Sequence, residues 1–167
     1  SIIWRPCNKS LSDKLESLQK RAIKWILSEE GRSYPPEQYV KKCKLVDILP
    51  LSQKFDFNDL IFFHKVLNNL IPVSLPHYLS LYQGTSRLRR CPLDSLSIVS
   101  SILPKLSQNS HTTCTSNSPL AKSFFYRTHI LWNGLPLQVR QIVSTSLFKT
   151  EVTKHLWKCL LDIELTV

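Results

Sequence analysis

Methionine is absent from this chain of 167 residues, glycine occurs only three times, and no two aspartates are adjacent. Without a methionine, even at the start, the sequence reads as a piece of a longer polypeptide. Gly31, Gly84 and Gly134 lie too far apart to form a glycine-rich phosphate loop. No apolar run approaches the roughly 18 to 20 residues that span a bilayer, and the opening Ser1–Pro6 lacks the basic-then-apolar layout of a secretory signal. The five cysteines, Cys7, Cys43, Cys91, Cys114 and Cys159, are odd in number and never form a Cys-x-x-Cys pair. They read as reduced thiols, some buried as small apolar side chains, and an intracellular setting, nuclear or cytoplasmic, is expected. His111 and Cys114 could be two ligands of a zinc knuckle, but the other two are missing, so no metal or cofactor is expected.

Acidic residues are also scarce: 12 against 22 Lys and Arg, for a net charge of +10 and an isoelectric point near 9.6. Such a balance favours a polyanionic partner, nucleic acid first and an anionic membrane surface second. The plain alternative is a domain that is merely basic. What the chain does have is apolar material, 43% of residues with 16 aromatics, enough for a core without disulfides or metals.

The densest aromatic stretch is Ser123–Val139, where Phe124, Phe125, Tyr126 and Trp132 fall within nine positions. Phe125, His129 and Trp132 at i, i+4 and i+7 share one side of a helix, widened by Leu131. Asn133-Gly134 tolerates positive φ and Pro136 cannot continue the helix, so it should stop there. This reads as a core element.

Residues 8 to 28 carry Leu11, Leu15, Leu18, Ala22, Trp25 and Ile26 at steps of four and three, an amphipathic helix with that stripe inward. Ser10 with Asp13, or Asp13 with Glu16, resembles a capping pair, and Glu29-Glu30-Gly31 marks the end. Lys14, Lys20, Arg21 and Lys24 surround the stripe. Singly each is a solvated lysine or arginine; together they form a candidate phosphate-facing surface. A second helix starts at Ser33–Glu37, runs to about Cys43 and turns Tyr39, Val40 and Cys43 inward, with Lys41, Lys42 and Lys44 extending the basic surface. Residues 52 to 71 form a helix apolar over more than half its circumference, carrying Phe63 and Leu67, with His64 a packed, hydrogen-bonded imidazole rather than a ligand. A helical turn through Leu81 follows Pro76. Arg87, Arg89 and Arg90 lie on an exposed strand or arm, with Leu96, Ile98 and Val99 as its pairing strand. Residues 95 to 118 hold 11 Ser or Thr in 24 positions and are expected to form a mobile loop. Leu135–Val143 is a short helix or turn, and Ser144-Thr145-Ser146 caps a last helix with Phe148, Val152, His155, Leu156 and Cys159 on one side.

The fold class expected is therefore mainly α: a bundle of about five amphipathic helices with a small β-hairpin or arm and a disordered Ser/Thr-rich loop. Its core is drawn from Leu18, Trp25, Phe63, Leu67, Phe125, Trp132, Leu135 and Phe148. Three regions are expected, residues 1–82, 83–118 and 119–167.

The order of motifs resembles a known family. Leu15-Glu-Ser-Leu-Gln-Lys-Arg-Ala22, Asp59-Leu-Ile-Phe-Phe-His-Lys-Val66, Thr85-Ser-Arg87, Ser123–Pro136 and Ser144-Thr-Ser-Leu-Phe-Lys149 stand in sequence. Together they resemble the C-terminal tail of reverse transcriptases of non-LTR, LINE-type retrotransposons of the Jockey and CR1 kind. In that pattern Arg-Ala usually follows the aromatic pair, where this chain has Arg127-Thr128, and the Ser/Thr-rich stretch matches nothing in it. The resemblance implies a thumb-adjacent helical region whose parent is an RNA-directed DNA polymerase, with polymerase and endonuclease domains elsewhere. Polymerisation needs paired aspartates holding two metal ions; none are here, so the chain is not an enzyme on its own. A Cys–His pair drawn from Cys43, Cys91 and the five histidines has nothing to fix it in place.

Two functions remain. The first is binding of template RNA or an RNA–DNA hybrid through Lys20, Arg21, Lys24, Lys41, Lys42, Arg87, Arg89, Arg90, Lys122 and Arg127. The second is a structural helical scaffold packing on the polymerase core or another subunit. No membrane partner is expected.

Overall fold

A computed structural model describes residues 5–6, 8–28, 36–81, 97–100 and 123–164. As expected, these residues are mainly helical: α1 (Lys9–Ile26), α2 (Pro36–Leu45), α3 (Leu51–Leu67), α4 (Phe124–Gly134), α5 (Leu137–Arg140) and α6 (Thr145–Glu164). Two short strands, β1 (Leu79–Leu81) and β2 (Ile98–Ser100), complete them. Two compact units are distinguished, Ser1–Asn58 with Thr153–Val167, and Asp59–Val152. The arm at residues 85–90, the Ser/Thr-rich tract beyond Ser100, Gly31 and Lys122 lie outside the described residues.

The scarcity of glycine shows at the helix ends. Among the described residues, three non-glycine residues, Ser28, Asp47 and Asn69, adopt left-handed backbones with φ of 53°, 52° and 54°. After α2, Ile48 N donates to Cys43 O at 2.9 Å and Asp47 N to Lys44 O at 3.2 Å. After α3, Leu70 N donates to Lys65 O at 2.9 Å and Asn69 N to Val66 O at 3.2 Å. Both are Schellman closures with Asp or Asn where glycine is usual. The first helix therefore ends at Ile26 with Ser28 as its left-handed residue, earlier than the expected Gly31. Its start also differs: Asn8 is the N-cap, accepting from Ser10 N at 2.9 Å, in place of Ser10 or Asp13.

The α4 exit needs no left-handed residue. Its cap Leu135 is extended, φ −73° and ψ 145°, and Pro136 follows. Asn133 is used differently: Asn133 Nδ2 donates to Ile98 O at 2.8 Å and Ile98 N donates to Asn133 Oδ1 at 2.9 Å. One amide side chain thus satisfies both backbone groups of Ile98, as a neighbouring strand would. The β1–β2 pairing is antiparallel with Leu79 opposite Ser100 and Leu81 opposite Ile98. The expected turn ends at Tyr78, because Leu79 N donates to Pro76 O at 2.9 Å and the chain then extends to pair. Ile98 and Val99 are strand residues as expected, and they pair with Leu79–Leu81; the arginine arm expected to pair with them lies outside the described residues.

In the unit Asp59–Val152, four of the expected core residues are buried: Phe63, Trp132, Leu135 and Phe148. Phe63 meets Trp132 edge-on at 5.7 Å between ring centres, and Trp132 meets Phe148 at 5.8 Å. Leu67 and Phe125 are half-buried at the margin. His64 lies flat on Phe148 at 4.1 Å, its Nε2–H donating to Ile142 O at 2.7 Å, a packed imidazole as expected. Thr128 is fully buried, its hydroxyl donating to Phe124 O at 2.7 Å, so this departure from alanine leaves no unpaired polar atom.

In the other unit, α1 is held by its polar side. Tyr39 donates its hydroxyl to Glu16 Oε1 at 2.6 Å, Leu51 N donates to the same oxygen at 3.3 Å, and Gln19 Nε2 donates to Leu49 O at 2.8 Å. Glu16 thus caps the start of α3 rather than that of α1. Ile23 is the one buried residue of α1. Leu18 and Trp25, expected in the core, are exposed. The stripe made α1 amphipathic, but α2 and the connector before α3 approach the face bearing Glu16, Gln19 and Ile23 instead.

Candidate functional site

The described basic residues divide by what already holds them. Arg127, expected at phosphate, donates Nε–H to Asp59 Oδ2 at 2.8 Å and lies 5.5 Å over the Phe124 ring. Asp59 is fully buried, so the guanidinium neutralises a carboxylate inside the protein and is withdrawn from an external anion. Lys20 is half-buried, its ammonium 5.0 Å from the centre of the Tyr39 ring. Lys24 and Lys42 are half-buried, while Arg21 and Lys41 are exposed. Arg87, Arg89, Arg90 and Lys122 lie outside the described residues.

The α1 face away from Ile23 combines charge with apolar surface. Leu11, Leu18 and Trp25, spaced by seven, are 52%, 57% and 72% exposed. Half-buried Leu15 and exposed Ala22 lie between them, and Lys14 and Arg21, both exposed, run along one edge. The repeat 11, 15, 18, 22, 25 is a coiled-coil seam with Lys14 and Arg21 in flanking positions. Helical spacing makes the stripe legible in the sequence. Its exposure follows from the tertiary contacts of Glu16 with Tyr39 and Gln19 with Leu49.

Two cysteines are described. Cys43 is buried, and its thiol is pushed up to about 11, chiefly by burial, so it is a poor nucleophile. Cys159 is exposed and lies 3.6 Å from His155 Nε2 on the preceding turn of α6. Burial, then neighbouring Lys158, holds His155 below the usual histidine range. Burial does the same for His64 and His129, against the carbonyls that pull them up. Among the described residues no three His, Cys, Asp or Glu side chains group as metal ligands. Nor is any helix among them long and apolar enough to cross a membrane.

The features that bear on function are thus the exposed cations of α1 and α2 and the open seam of α1. No family model, curated protein or solved structure matches the chain.

Proposed function

We propose that the chain is a non-catalytic C-terminal region of a non-LTR retrotransposon RNA-directed DNA polymerase, engaging template RNA or an RNA–DNA hybrid through cations of α1 and α2. The supporting observation is that Arg21 and Lys41 point into solvent while Glu16, an acid of the same helix as Arg21, is occupied by Tyr39 and Leu51. Exposed cations release counterions when they meet phosphate, which gives affinity with little sequence preference. The region acts inside the cell, in the nucleus or cytoplasm, beside polymerase and endonuclease domains, and uses no cofactor. The test is a salt titration of binding to single-stranded RNA, duplex DNA and an RNA–DNA hybrid. The expected result is a steep log–log slope with preference for RNA or hybrid; a slope near zero, or no binding at low salt, sinks the reading.

A second reading, a helical scaffold packing on the polymerase core or another subunit, is favoured by the exposed Leu11, Leu18 and Trp25. A helix that presents large apolar residues to water at a regular period carries the sequence signature of a contact surface.

A further inference from the structure

We propose that the open seam of α1 is the docking face for an amphipathic helix whose flanks carry acidic side chains. The proposal rests on the scaffold reading and gives its partner a chemistry. The seam runs from Leu11 to Trp25, four turns or about 21 Å at 1.5 Å per residue, long enough for a knobs-into-holes contact. It is not apolar surface left over from packing. An adjacent face of the same helix is anchored by Tyr39 to Glu16, Gln19 to Leu49 and buried Ile23, which fixes α1 with its leucines outward.

Charge selects among occupants. Lys14 and Arg21 occupy equivalent flanking positions one heptad apart, where side chains of a facing helix are met. A second copy aligned antiparallel would bring these cations against their own kind, and one aligned parallel would set them against Gln19 and Ile26 with no countercharge, whereas Glu or Asp on the incoming helix meets them with attraction. Single-stranded nucleic acid could pair its phosphates with Lys14 and Arg21 and stack a base on Trp25, but would leave Leu11 and Leu18 uncovered. An acidic-flanked helix satisfies both the leucines and the cations.

The experiment titrates the chain with two dye-labelled synthetic peptides of about three heptads, both with a leucine seam, one flanked by Glu and the other by Lys. Anisotropy reads peptide binding, and the part of an environment-sensitive apolar dye's binding that Leu18→Ser removes reads the seam. The expected result is that the Glu-flanked peptide binds at least about tenfold tighter than the Lys-flanked one. Leu18→Ser should lower that affinity by about tenfold or more, and Lys14→Glu with Arg21→Glu should reverse the preference. Leu18 is exposed, so Leu18→Ser keeps its helical circular dichroism. Equal binding of the two peptides, binding that persists in Leu18→Ser, or no binding of either overturns the proposal. So does a dimer in sedimentation that Leu18→Ser dissolves, which assigns the seam to a second copy, or RNA binding that Leu18→Ser abolishes, which assigns it to nucleic acid. Apolar-dye binding lost in Leu18→Ser with neither peptide bound overturns the acidic helix alone; absence of dye binding as well overturns the scaffold reading with it.

Discussion

Arg127 donates its Nε hydrogen to Asp59 Oδ2 at 2.8 Å across 68 positions of sequence, tying the start of one apolar motif on α3 to the aromatic motif on α4. The carboxylate is fully buried and the guanidinium mostly so. Breaking such a pair leaves an uncompensated charge in a low-dielectric site, which outweighs the modest net value of the pair itself. Arg127→Ala is expected to cost about 3 kcal/mol or more, read as a lower urea midpoint. Replacing both residues by apolar side chains should recover much of it. An Arg127→Ala midpoint equal to the parent's would show that the pair does not form.

Leu18 and Trp25 separate from the true core by their response to truncation. Leu18→Ser and Trp25→Ser are expected within about 0.5 kcal/mol of the parent. Phe63→Ala and Trp132→Ala should cost about 3–5 kcal/mol, because each empties a cavity among packed rings. Chemical denaturation of the four variants checks this, and a large loss at Trp25 would show that α1 buries its stripe.

Acidification should destabilise the unit that contains His64. Burial holds its imidazole below the ordinary 6.5 in the folded chain. As pH falls below that value the unfolded chain takes the proton first, so stability is present above it and is lost toward the folded value. The urea midpoint should fall between pH 7 and pH 5, and less so in His64→Gln, which retains a donor for Ile142 O. An equal fall in both would assign the effect elsewhere.

Ser28 holds a left-handed backbone at φ 53°, a conformation that a side chain makes unfavourable by about 1–2 kcal/mol. Glycine relieves that strain but adds about 0.5–1 kcal/mol of entropy to the unfolded chain. Ser28→Gly is therefore expected to stabilise by about 0.5 kcal/mol, and Ser28→Val to destabilise. A loss of thermal midpoint in Ser28→Gly would contradict the closure of α1 at that residue.

Arg21 and Lys41 should each contribute to the salt dependence of RNA binding. Arg21→Ala and Lys41→Ala are expected to make the log–log slope shallower by about 0.7–0.9 each. Slopes unaffected by Arg21 and Lys41 would remove α1 and α2 from the interface.

The sequence alone determined the helices and most of the central core. Apolar residues at the helical period around Phe63, Trp132 and Phe148 are local facts, and a helix so apolar has nowhere to go but inward. It also marked Pro136 as a stop and His64 as a packed ring. Tertiary structure decided which side of α1 is covered, because a stripe states that a helix is amphipathic and not whether its partner lies in the same chain. It decided that Arg127 answers Asp59 rather than phosphate, since a charge and its buried counterion can lie far apart in sequence. It decided too that Ile98 pairs with β1 and the side chain of Asn133, a non-local closure that no local propensity encodes.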